Sequence, residues 1–360
     1  MGRRTQECVI ILRSLLRKET ETSMHMSDAL VSPTVGVTML AVSGAAIAYS
    51  VVKTRKEHVL DDKTVPVMGV MSAFVFAAQM INFTIPGTGS SGHIGGGILL
   101  AALLGGSPGL ISIAAVLLIQ CLFFADGGLL ALGCNIFNMG VLTCLVAYPL
   151  IFKPILKKGI TKSRLMLASV LSVVAGLQLG AFSVVLETLA SGITALPFGS
   201  FVLLMQPIHL AIGLVEGLVT GAILIFVHQA RPELLASVQS KTPLERTLSL
   251  KKIVIGGLIA AALIAGGLSI FASAYPDGLE WSIGKVTGAE ELEADGAVHA
   301  LANGIQSKTA VMPDYTTGAS SEAASTSGAG LIGGGIVLAL AAGTALALSY
   351  TRKKRSDPKA

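Results

Sequence analysis

Charge is what this 360-residue chain has least of: Asp, Glu, Lys and Arg make up 13% of it, against about 25% in a soluble globular protein. So little charge cannot clothe a water-facing surface at this size. No stretch interleaves basic and aromatic side chains, which removes the usual footprint of a nucleic-acid binder. Cys8, Cys121, Cys134 and Cys144 include no C-x-x-C pair, so neither a disulfide framework nor a thiolate metal site is supported. The last three lie in apolar runs and read as small apolar helix residues. The G-x-x-x-x-G-K-[ST] phosphate loop is absent, so any coupling to ATP must come from partners. H-E-x-x-H is missing as well, which argues against an intramembrane metalloprotease.

Apolar residues are abundant instead, at 52% with a mean hydropathy of +0.74. A membrane span needs about 20 mainly apolar residues, and the sequence supplies many such runs. The 41 glycines suit helices that approach closely, because lipid gives no hydrophobic drive between them and packing must hold them. The expectation is an all-α polytopic membrane protein. Spans are expected at 34–52, 65–84, 94–104, 109–124, 133–151, 165–187, 200–227, 253–273 and 331–349. The third and fourth are short, and Gly105-Gly106-Ser107-Pro108-Gly109 between them reads as a tight turn, so a compact hairpin is expected there.

Charge then orients the set. Lys53, Arg55, Lys56 and Lys63 follow the first span, and Lys153, Lys157, Lys158, Lys162 and Arg164 the fifth. Arg231, Lys241, Arg246, Lys251 and Lys252 follow the seventh, and Arg352 to Arg355 the last. The positive-inside bias makes these regions cytoplasmic. Nine spans then leave the Met24 end outside and the C-terminus inside a prokaryotic plasma membrane. Thr84–His93, Ala125–Leu132, Thr188–Gly199 and the acidic segment 274–330 fall outside, the last as a hydrophilic and partly flexible loop. Residues 1–23 break the pattern, since Arg3, Arg4, Arg13, Arg17 and Lys18 would lie outside. They read as a doubtful extension, either an over-called start or a processed leader, and the mature chain is expected to begin at Met24.

A chain beginning at Met24 carries a free amine beside His25. That amine, the deprotonated His25 amide and the His25 imidazole can form fused chelate rings in one plane, and a second imidazole can complete a square. Ni(II) and Cu(II) prefer square-planar nitrogen, and Co(II) also uses imidazole-rich sites. His93, inside Gly-Ser-Ser-Gly-His-Ile-Gly-Gly-Gly, falls at the same outer side as His25. On spacing alone, two solvated interfacial histidines remain an alternative.

Met24-His25-Met26-Ser27-Asp28 resembles the MHIPDG start of the CbiM/NikM family, the substrate-capture (S) components of cobalt and nickel energy-coupling-factor ABC transporters. Pro86-Gly87-Thr88-Gly89-Ser90-Ser91-Gly92-His93-Ile94-Gly95-Gly96 resembles its P-x-x-GTSGH-x-x-GG block. Phe124-Ala125-Asp126-Gly127-Gly128 with Ala131–Gly140 resembles FGDGG-x-x-ALGAN-x-x-NMG, and His209–Thr220 resembles H-x-x-IG-x-x-E-x-x-VT. Ser27, Ala29 and Cys134 depart from the pattern, but none is a ligand position. Tyr275-Pro276-Asp277-Gly278-Leu279-Glu280-Trp281 carries the PDGLE signature of the small N component; its alternative reading is a plain turn.

The resemblance implies a seven-span S-component bundle over 24–228, a linker 229–252, a two-span PDGLE/N-like module over 253–350 and a basic tail 351–360. It implies Met24, His25 and His93 as ligands of a transported Ni2+ or Co2+, with no prosthetic group and no enzymatic activity. A transmembrane T component (CbiQ/NikQ-like) and two ATPases (CbiO/NikO-like) are the implied partners. Asn135, Asn138, His209 and Glu216 are costly in lipid and should face the bundle interior, either steadying the ligands or bonding between helices. Gln79 and Asn82 allow the same two readings. Asp126 is read as a turn residue, and His58, His228 and His299 receive no role. The competing function is a divalent-metal carrier acting alone, with Glu216 as its ionisable group.

Overall fold

The computed structural model describes residues 25–56, 64–240, 250–290, 292–316 and 322–356. Most of these residues are helical, and the strands among them form one short hairpin. After a short turn at Asp28–Leu30, the helices are α1 Pro33–Lys56, α2 Thr64–Gln79, α3 Gly97–Leu104 and α4 Gly106–Phe124. Next come α5 Leu132–Leu156, α6 Lys162–Ser191, α7 Phe198–Ala230 and α8 Pro232–Ser240. The C-terminal part adds α9 Leu250–Gly266, α10 Gly278–Thr287, α11 Ala297–Thr309 and α12 Glu322–Ser356. Six described helices, α1, α4, α5, α6, α7 and the stretch Ser325–Gly343 of α12, are long and apolar enough to cross a membrane. Large apolar side chains stay exposed along them, among them Leu150, Leu203 and Phe226, as lipid-facing positions should.

The third expected run, 94–104, yields a helix of eight residues only. At 1.5 Å per residue it is about 12 Å long, far short of a bilayer core of about 30 Å. It turns at Gly105 straight into α4, giving the expected compact hairpin. Every residue of α3 is buried, which is the condition for a partial crossing, since irregular backbone at membrane depth must be enclosed by protein. Gly97 explains how the hairpin enters the bundle: a Cβ there would meet Met139 O at 2.7 Å and overlap the Thr143 hydroxyl of α5. α5 itself has wide turns over Ile136–Phe152, a rare geometry that favours functional sites.

α6 and α7 pack along a row of small residues. A Cβ on Gly213, Gly217 or Gly221 would face Val174, Val170 or Met166, and at Gly217 it would lie 2.7 Å from Val170 Cα. That spacing of four is the small-residue pattern of close membrane helices. Because the obstruction at Gly217 is backbone, Gly217→Val should force α6 and α7 apart. Overpacking of about 1–3 kcal/mol is expected, read as a lower melting temperature in detergent.

The segment 274–330 is not the simple loop expected from its composition. α10 begins with a reciprocal cap in which Asp277 Oδ1 accepts from Leu279 and Glu280 N–H, and Glu280 Oε2 from Asp277 N–H. Such a box satisfies orphan amides at the helix start. α10, α11 and the turn Pro313–Tyr315 pack over one end of the bundle. α9 and α12 lie against α2, where Gly69 meets Leu338 and Ala342.

Candidate metal centre

The N-terminal arm is built into the protein rather than left in solvent. Met26, Leu30 and Val31 are buried, and the arm lies on the loop 125–131 between α4 and α5. Asn135 grips Met26 twice: its Oδ1 accepts from Met26 N–H and its Nδ2 donates to Met26 O, both at 3.1 Å. Gly128 N–H donates to Met26 O at 3.0 Å, and Asp28 Oδ1 accepts from Ala131 N–H at 2.9 Å. These contacts require Gly127 and Gly128. Gly127 has φ +81°, and a Cβ there would meet His25 Cβ at 2.8 Å.

His25, the first described residue, is buried with its Nδ1 2.8 Å from Asp126 Oδ1. Tyr315 O–H donates to the other oxygen, Asp126 Oδ2, at 2.7 Å. Burial works against the imidazolium, yet the Asp126 carboxylate holds the His25 pKa above the ordinary histidine value. Burial likewise opposes the carboxylate, and the His25 charge and hydrogen bonds bring Asp126 below the usual range. The turn reading of Asp126 is therefore too weak: it holds the candidate ligand.

His93 arrives from the other side. Phe83–Ile85 and Ser90–Gly92 form a two-stranded antiparallel hairpin, with Thr84 opposite Ser91, and His93 follows it. The loop then descends to α3 through Gly96, at φ +76°, where a Cβ would lie 2.5 Å from Val75 Cγ1. Glu216 Oε1 on α7 accepts from Gly96 N–H at 2.9 Å, and Gln79 Nε2 donates to Gly95 O at 2.9 Å. The PDGLE segment covers the hairpin. Ser91 N–H donates to Pro276 O at 2.8 Å, Ser91 Oγ to Tyr275 O at 2.7 Å, and Trp281 Nε1–H to Thr88 O at 3.0 Å.

His25 and His93 thus meet, with ring centroids 5.4 Å apart, although 68 positions separate them. Both line a cavity of about 110 Å3 together with Asn135, Asn138, His209 and Glu216. Organic ligands occupy pockets of roughly 300–1,000 Å3, so this space suits a small ion. Asp277 is on its wall, and burial pushes that carboxyl up to about 7. The four polar candidates divide their work. Asn135 holds the arm and Glu216 the His93 loop, whereas Asn138 Nδ2 donates to Glu187 Oε2 at 2.8 Å and His209 Nδ1 pairs with Met205 O on its own helix. Met24, the third expected ligand, lies outside the described residues, as does His58. Among the described residues no group of three or more His, Cys, Asp or Glu is arranged to hold a metal.

Residues 25–234 match the family model CbiM, described as the cobalt uptake substrate-specific transmembrane region. The chain belongs to the CbiM family. Residues 251–350 match the PDGLE domain, so a CbiM-family region is fused here to a PDGLE-type module. The fused nickel transport protein NikMN of Rhodobacter capsulatus is 31% identical over 263 residues, covering 68% of this chain and 74% of that protein. The cobalt transport protein CbiM of Sorangium cellulosum is 31% identical over 201 residues, 56% of this chain and 88% of its own. A crystal structure of a truncated transition metal transporter aligns with TM-score 0.51 and 30% identity, over 57% of this chain and 99% of that one. As a CbiM-family membrane protein the chain is a transporter subunit, not an enzyme.

The family blocks placed His93 and the arm, but not the side chains that fasten them. His299, given no role from sequence, is buried with Nε2 2.9 Å from Val31 O. Gln306 Nε2 donates to Gly127 O at 2.7 Å and Cys121 O at 2.9 Å. Both belong to α11, in a segment whose composition resembles a linker. Their only sequence signal was a short amphipathic pattern within it.

Proposed function

We propose that this chain is the ion-capturing membrane subunit of an energy-coupling-factor importer for Ni2+ or Co2+. The observation that carries the reading is the pairing of His25 and His93 over a cavity sized for an ion. Met24 amine, the His25 amide and the two imidazoles form the donor set. An ion bound to the His25 imidazole as it stands would take Nε2, because Nδ1 is on Asp126. A chelate ring closed through the His25 amide uses Nδ1 and needs the imidazole to turn over.

Helix direction supports capture from outside. Followed away from His25, α1 ends on Lys53, Arg55 and Lys56, and α5 leads to Lys157 and Lys158; α7 leads to Arg231. Read with the positive-inside bias, these basic ends support a histidine end on the outside, and the basic run Arg352 to Arg355 supports a C-terminus on the inside. Without a phosphate loop of its own, the chain relies on a T component and two ATPases to force the ion off its ligands. A lone carrier would need Glu216 as a mobile charge, whereas its Oε1 is spent on the Gly96 amide. Relatives named for both metals leave nickel favoured only by the PDGLE module and by planar nitrogen ligation.

Two purified full-length forms test this, one beginning at Met1 and one at Met24. Near-stoichiometric Ni2+ or Co2+ in the Met24 form alone is the expected result, since an internal Met24 has no amine. Failure of both forms to hold either metal would overturn the capture reading.

A further inference from the structure

The carboxylate that holds His25 is itself held from the C-terminal module. Tyr315 O–H donates to Asp126 Oδ2 at 2.7 Å, and Asp126 Oδ1 is 2.8 Å from His25 Nδ1. All three residues are buried. Tyr315 is held in place independently of this bond, its ring stacked on Phe124 with centroids 4.6 Å apart and planes at 18°. Asp314 and Tyr315 also take left-handed backbone, at φ +51° and +56°. Such strain in non-glycine residues persists only where the surroundings enforce it, and it gathers at functional places. Around the same loop, Met312 N–H donates to Phe123 O at 3.1 Å and Gln306 to Gly127 O. The module therefore grips the loop on both sides of Asp126.

We infer that Tyr315 is a positioning residue for the metal site in which His25 ligates through Nε2: its hydroxyl fixes the Asp126 carboxylate, which in turn fixes the His25 imidazole through Nδ1. This rests on the capture reading and adds to it a route by which the fused module sets the ion's affinity. A carboxylate that bonds a ligand imidazole orients it, and losing such a partner commonly lowers metal affinity 10–100-fold. Tyr315 stands one bond further out, so roughly the lower end of that range is expected.

Tyr315→Phe keeps the ring and its stack and removes only the hydroxyl. The full-length Met24 form is titrated with Ni2+ alone, unsubstituted and as Tyr315→Phe, Asp126→Asn and the double variant. Tyr315→Phe should weaken binding about tenfold and shift the ligand-field band of bound Ni2+. In the Asp126→Asn background it should change the Kd less than about twofold, because a residue acting through another loses its effect once the intermediary is gone. Equal effects in both backgrounds, or tighter binding by Tyr315→Phe, would overturn the inference, the latter by showing that Asp126 competes with the ion for Nδ1. Normal binding in all forms overturns this inference alone. No Ni2+ or Co2+ binding by the unsubstituted chain overturns it together with the capture reading.

Discussion

His93→Ala is expected to leave a folded chain in the membrane that no longer retains Ni2+ or Co2+. The loop that carries His93 is fastened by other groups: Ser91 to Pro276 and Tyr275, Gly96 N–H to Glu216, Gly95 O to Gln79. The half-buried His93 side chain instead borders the ion-sized cavity, opposite His25. Removing it deletes a donor and spares the hairpin. Losing a partner outside the ligand set costs about 10–100-fold in metal affinity, so losing a ligand should exceed a hundredfold. Calorimetric titration of the purified variant reads the affinity, and circular dichroism with size exclusion checks the fold. Stoichiometric binding at the native affinity would remove His93 from the ligand set.

Sequence and structure agree most where one strong physical constraint acts. Long apolar runs must become helices in lipid, because nothing there satisfies a bare backbone, and α1, α6 and α7 fall within a few residues of their expected spans. Gly92-His93 and the arm were legible because ordered motif blocks carried them. Asp126 was not, since Asp before Gly-Gly is also an ordinary turn, and a partner 101 positions away leaves no local mark. Tyr315 and His299 were hidden more deeply. The segment around them is polar and rich in small residues, so composition favoured a loop. Its helices become stable only by covering the histidine end of the bundle, a tertiary effect that no window of the sequence contains. The hairpin Phe83–Gly92 was missed for a similar reason: at three residues per strand there is no alternation to read, and the PDGLE segment docks on it from far along the chain.

Gly128→Ala should uncouple the arm from the bundle and lower metal affinity by more than about tenfold, in line with losing a partner that orients a ligand. A Cβ at Gly128 would overlap both the Asp28 carboxylate and the Asp28 backbone nitrogen. Backbone cannot swing aside as a flexible side chain can, so the contact must be lost rather than adjusted. Two outcomes compete. Either α4 and α5 shift around the loop, or the arm lifts. Lifting exposes Met26 and Leu30, at about 1.5–3 kcal/mol for each fully buried apolar side chain. Moving α5 would instead disturb its packing against α4 and the close approach of Gly133 to the backbone of α1 at Met39 and Leu40, a far larger core. The arm should therefore give way first, and it carries His25 with it. The melting temperature should fall by several degrees while Ni2+ binding falls sharply, and adding Asp28→Ala, which removes part of the obstruction, should restore less than full affinity because the Ala131 N–H bond is lost with it. A variant that binds Ni2+ as tightly as the unsubstituted chain would show that the arm's docking on Gly127-Gly128 does not set the position of His25.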